Sequence, residues 1–238
     1  MFDIDKINEL VGNKEFNEAK ILIEEALKEN PENQELLKLA GLTCVNLELW
    51  TEACKYFESV VKYFPEDATS VFYLAKCYEN TGNRIEAKSY YIKVIELRPE
   101  YEDAYKNLCL LLLKQKNYAD TIVYAEMASN INPNEYLYDF IKGTALMDSK
   151  AFTNALPALE RASEKAPNKV EIINSLGTCL MALGEIDKAL KAYNRVLEVD
   201  SKNAMAYFNI GSVYQIKQDH QQAVKYLSKA VELEEDDL

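Results

Sequence analysis

The sequence predicts an all-α protein: a solenoid of tandem helix-turn-helix repeats, with about fourteen antiparallel helices. Three observations carry this. Five of the six prolines, Pro31, Pro65, Pro99, Pro133 and Pro167, stand 34 residues apart. Small residues recur at two fixed positions of the same period. Glycine (7) and proline (6) are scarce in 238 residues, which favours helices over a many-stranded sandwich.

Numbering each unit so that the proline is position 32 sets unit starts at Gln34, Ala68, Glu102, Tyr136, Val170 and Ala204. The expected units are 1–33, 34–67, 68–101, 102–135, 136–169, 170–203 and 204–237, one array over 1–238. Position 8 then reads Ile7, Gly41, Ala75, Cys109, Gly143, Gly177 and Gly211, and position 20 is alanine in every unit except for Thr121. Positions 4, 7, 8 and 11 make one stripe on a first helix, and positions 17, 20, 24, 27 and 28 make one on a second. Small residues at 8 and 20 let the two helices approach, bulky ones at 11 and 24 fill the space beside them, and proline at 32 stops the second helix. A single pair cannot bury both faces, so the units must stack.

Two units fit less well. The first carries Asp3 and Lys6 at positions 4 and 7, and the fifth carries Asp139 and Lys142 there. Pro157 falls inside the second helix of the fifth unit, which is expected to kink or to begin late.

The net charge of −12 disfavours nucleic acid as a partner. The first residues, Met1-Phe2-Asp3-Ile4-Asp5, put acids where a secretion signal needs a basic segment and an apolar core. The longest apolar run, residues 108–113, is too short to span a bilayer. A cytoplasmic protein with no membrane insertion is expected. The five cysteines form no CxxC pair and are expected to be reduced, buried space-fillers. The glycines all fall at position 8 or near the inter-helix turn, which leaves no phosphate loop. His220 is the only histidine and shares position 17 with Phe16, Trp50, Tyr118, Phe152 and Ile186, so a space-filling role is expected for it. One histidine and scattered cysteines give no metal-ligand spacing, so neither metal nor cofactor is expected and catalysis has no candidate residues.

Period, small positions and proline together resemble the tetratricopeptide repeat family over essentially the whole chain. The resemblance implies a right-handed superhelix whose first helices line a concave groove with positions 2, 5, 9, 12 and 13. Those positions hold Lys38, Leu42, Phe72, Lys76, Lys106, Leu110, Phe140, Met147, Asn174, Thr178, Met181, Met205, Phe208 and Gln215, the candidate peptide-binding residues. Phe72, Phe140 and Phe208 recur on alternate units, either as groove anchors or as side chains reaching into the inter-repeat core. Lys38, Lys76 and Lys106 either form a basic strip or are simply solvated. The carboxylate clamp of some chaperone-binding members is absent, since of its five positions only Lys38 matches in units two to four.

Function follows as an expectation: a non-catalytic scaffold or adaptor that binds a protein or peptide segment in the groove. The alternative is the substrate-recruiting or targeting region of a longer enzyme, for example a glycosyltransferase. The last unit keeps Gly211, Tyr214, Ala223, Leu227 and Ala230 in register, so its outward face is expected to be apolar. Self-association, a longer chain, or solvation by Lys225 and Lys229 are three ways to satisfy that face.

Overall fold

A computed structural model describes residues 3–235. Among them are fourteen α-helices and no strand. The chain divides into two compact units, residues 1–111 and 112–238. The first contains α1 (Ile4–Gly12), α2 (Phe16–Glu29), α3 (Gln34–Asn46), α4 (Trp50–Tyr63), α5 (Ala68–Asn80), α6 (Arg84–Leu97) and most of α7 (Glu102–Lys114). The second contains α8 (Tyr118–Ile131), α9 (Tyr136–Asp148), α10 (Phe152–Lys165), α11 (Val170–Ala182), α12 (Ile186–Val199), α13 (Ala204–Ile216) and α14 (His220–Glu235). Within each unit, consecutive helices from α1 to α6 and from α8 to α14 pack on one another. From α3 onward, first helices begin at Gln34, Ala68, Glu102, Tyr136, Val170 and Ala204, the residues that open each period in the sequence.

The turn inside each pair has one geometry. Position 15 is left-handed in all seven units: Lys14, Glu48, Gly82, Lys116, Lys150, Gly184 and Gln218 have φ between 58° and 84°. The next N–H reaches back to the carbonyl of position 11, as in Leu49 to Cys44 (2.8 Å) and Glu185 to Leu180 (2.9 Å). This is the Schellman closure of a helix end, in which the left-handed residue is usually glycine. Five units place Lys, Glu or Gln there at a cost of about 1 kcal/mol each.

The turn between pairs is equally regular. The N–H of position 34 bonds the carbonyl of position 31, as in Asn33 to Asn30 and Tyr101 to Arg98 (3.2 and 3.0 Å), with the proline second in the turn, where its fixed φ fits. Asn33 and Asn203 then cap the following helices by accepting from Leu36 N (3.0 Å) and Ala206 N (2.9 Å).

Packing explains position 8. A Cβ added at Gly41, Gly143, Gly177 or Gly211 would lie 2.5–2.7 Å from Phe57, Leu159, Tyr193 or Leu227, the position-24 residue of the same pair. Each glycine is the hole into which that side chain fits. Lys20 to Glu52 (2.6 Å), Tyr63 to Glu32 (2.8 Å) and Lys217 to Asp187 (2.6 Å) link one pair to the next.

Two expectations are corrected. α10 begins at Phe152, in register with the other second helices, and runs through Pro157 to Lys165. Pro157 and Thr153, whose carbonyl loses its helical partner, are both exposed, so water satisfies the gap. His220 is exposed rather than space-filling. Trp50, its counterpart in α4, packs on a cluster that includes Leu74 and Cys77 of the next pair, and α14 has no such pair after it among the described residues. No helix of the described residues is long and apolar enough to cross a membrane.

Candidate functional site

In residues 3–111 the first-helix candidates are largely engaged by the fold itself. Lys38 on α3 pairs with the carboxylate of Asp67, which also accepts from Ser70 Oγ (3.0 Å) and Gln34 Nε2 (3.5 Å). Burial alone would raise the Asp67 carboxyl. The hydrogen bonds and charge of Lys38, with the bonds from Ser70, outweigh it and hold the group below the usual carboxylate range. Phe72 on α5 is only 6% exposed, with its ring centroid 5.1 Å from Tyr101, 5.6 Å from Tyr73 and 5.9 Å from Tyr91. It is not available as a groove anchor; the aromatic cluster that its own helix, α6 and the turn after α6 build closes over it. Lys76 lies over the Phe72 and Tyr73 rings, at 5.9 and 5.8 Å from their centroids. Of the expected basic strip, Lys106 alone is exposed, while Lys38 and Lys76 are half-buried against these partners. Leu42 and Leu110 are half-buried, and Leu42 packs against the core of Cys44, Phe57 and Leu74.

Residues 112–235 differ. Phe140 and Met147 on α9 are half-buried against Leu146, Leu159 and Cys179, so Phe140 too reaches partly into the core between repeats. Phe208 on α13 is 54% exposed, and Met205 and Gln215 on the same helix are also exposed. The three phenylalanines share a register and not an environment. Between Phe140 and Phe208 in that register stands Asn174 on α11, half-buried, whose side-chain oxygen is enclosed and has no hydrogen-bond partner among the described residues. One turn on, exposed Thr178 donates to the Asn174 carbonyl (3.0 Å) and lies 3.4 Å from Tyr193 Oη. Met181 completes the strip, half-buried against Leu180, Tyr193 and Ile210. The strip thus offers an amide oxygen in want of a donor, flanked by sulfur and aromatic surface.

The misfits at positions 4 and 7 of the fifth repeat form an ion cluster that the sequence did not reveal. Asp139 is 3% exposed and accepts from Arg161 Nε (2.9 Å) and Lys165 Nζ (2.5 Å) on α10. Lys142 pairs with Glu126 on α8. These groups border a polar hollow of about 310 Å3, together with Ser129 and Asn130. The signal was present as Arg161 and Lys165, one turn apart on the facing helix, where other repeats place fewer cations. The cluster satisfies its own charges and serves packing.

All five cysteines are free and buried. Burial pushes the Cys44 thiol up to about 11 and that of Cys109 up to about 12, which leaves both protonated and weakly nucleophilic near neutral pH.

Profiles described as tetratricopeptide repeat match residues 69–101, 142–197 and 204–237, and one described as TPR repeat matches 177–218. The chain belongs to the tetratricopeptide repeat family. Solved structures agree. YrrB, described as a tetratricopeptide repeat protein with an unusual peptide-binding site, is 27% identical with a TM-score of 0.65, over 76% of this chain and 93% of its own. MamA is 25% identical with a TM-score of 0.68, over 72% of this chain and 94% of its own. The C-terminal part of a repeat protein from Cytophaga hutchinsonii is 16% identical and shares the fold, with a TM-score of 0.85 over 97% of this tetratricopeptide chain and 95% of its own. A comparison with curated proteins returns no match. Membership in this family supports a protein-interaction scaffold.

Proposed function

We propose that this chain is a non-catalytic scaffold that binds a peptide segment across the first helices of residues 112–238. The observation that carries the reading is the enclosed, unpartnered Asn174 oxygen. A buried acceptor without a donor costs about 1–3 kcal/mol, and a main-chain N–H of a bound peptide recovers it. Met181 on α11 and Met205 and Phe208 on α13 supply adaptable apolar contact beside it, and Thr178 and Gln215 add polar contacts at its edge. The peptide-binding site of YrrB, which is 27% identical, supports the assignment of a peptide as ligand.

Peptides selected from a random display library against the whole protein test this without a known partner. Asn174→Ala is expected to weaken the selected peptides about tenfold, which is about 1.4 kcal/mol, with little change in melting. Selected peptides that bind Asn174→Ala and Phe208→Ala as tightly as wild type would remove the strip as the site.

A further inference from the structure

α14 carries a surface that none of the preceding argument uses. Positions 21 and 28 of a second helix receive the following pair. Leu190 and Leu197 of α12 pack on the cluster of Tyr193, Ile210 and Val213, and Val61 of α4 packs with Cys54 on the cluster that includes Leu74 and Cys77. In α14 the same positions are Val224 and Val231, 64% and 55% exposed. They belong to a continuous seam, His220, Val224, Leu227, Val231 and Glu234, whose alternating spacing of four and three is that of a coiled-coil contact.

Two features of this seam select its occupant. First, it is self-complementary when reversed. A two-fold axis beside Leu227 and Ser228 sets Val224 against Val231 of a second copy and Gln221 against Glu234, with no like charges opposed. Second, its charges run against the helix's own dipole. α2 and α4 place an acid in the first turn (Glu18, Glu52) and a lysine in the last (Lys28, Lys62), the arrangement that stabilises a helix by itself. α14 has neither; Lys225 and Lys229 come first, and Glu232 and Glu234 follow towards the end. An antiparallel copy brings acids beside lysines at both ends and opposes the two dipoles.

We propose that α14 is a dimerisation surface on which a second copy of this chain packs antiparallel. It stands apart from the peptide strip on α11 and α13, and either reading survives failure of the other.

The test is sedentation equilibrium of the whole protein across a concentration series, with wild type and the Val224→Glu/Val231→Glu variant. Both valines are exposed, so the variant is expected to keep the helical circular dichroism of wild type. A reversible dimer that the variant loses supports the proposal. A wild type that stays monomeric overturns it, as does a dimer that persists in the variant, because the contact then lies elsewhere. Orientation is read from single cysteines under oxidation. Ser228→Cys, beside the axis, is expected to cross-link between copies, whereas Val224→Cys sits about 10 Å from its mate along the antiparallel pair and stays monomeric on denaturing gels. Efficient cross-linking of Val224→Cys, with Ser228→Cys unreactive, overturns the antiparallel arrangement.

Discussion

Position 5 of the repeat lies open in one half of the molecule and mostly closed in the other. In residues 3–111 it holds Lys38, bound to Asp67, and Phe72, sealed among three tyrosines. In residues 112–235 it holds Asn174, with an unpartnered oxygen, and Phe208, in solvent. Register therefore says which stripe a residue belongs to. Availability depends on what the neighbouring repeat lays over it. The largest effect that would break this comparison is on stability. Phe72→Ala is expected to cost about 3–5 kcal/mol, and Phe208→Ala under about 1 kcal/mol. Urea unfolding followed by Trp50 fluorescence reads the first directly, since Trp50 packs on the core between the second and third repeats, and circular dichroism reads the second. Similar losses from the two substitutions would mean that Phe208 is covered in solution.

The seam of the fifth repeat gives a second, smaller contrast with its neighbour. Positions 4 and 7 are Asp139 and Lys142 in the fifth repeat and Ile173 and Leu176 in the sixth. Asp139→Ala strands Lys165 and Arg161 beside a buried gap. The expected cost is about 1–3 kcal/mol, below the 3–5 of a fully buried pair, because both cations have a path to water. Asp139→Leu refills the gap and is expected to recover most of that loss in the same unfolding measurement. If Leu is no better than Ala, the carboxylate is needed for more than its volume, and the cluster is not merely a substitute for an apolar seam.

Much of the fold was legible because a 34-residue period repeats its information: prolines mark one turn, and glycine at position 8 marks the hole for position 24. The other turn was only half legible. Gly82 and Gly184 announce a left-handed residue, but Lys14, Glu48, Lys116, Lys150 and Gln218 adopt it through the closure of the turn, which overrides their own preference. The site was less legible than the fold. The spacing placed all fourteen candidates on first helices, yet it could not see that Tyr101 covers Phe72 or that Asp67 takes Lys38, since both partners lie outside the stripe. Asn174 was found as a register position. Its lack of a partner is a property of three-dimensional enclosure, which no periodicity encodes.

The engagement of Lys38 is itself testable, through pH. The folded-state carboxyl of Asp67 lies below its unfolded value. Such a group stabilises the protein above the unfolded pKa, about 3.9, and loses that contribution as pH falls through the lower folded value. Asp67→Asn is therefore expected to be less stable than wild type near pH 7, by about 1 kcal/mol or less, as both partners are partly solvated. The gap should narrow below about pH 4, where the wild-type carboxylate also becomes neutral. Urea midpoints for the two proteins across that range supply the measurement. A gap that stays constant into acid would assign the loss to the hydrogen bonds from Ser70 and Gln34, which a neutral acid still accepts. In that case Lys38 contributes little to holding Asp67, its charge is open to a ligand, and the contrast between the two halves at position 5 narrows to the phenylalanines.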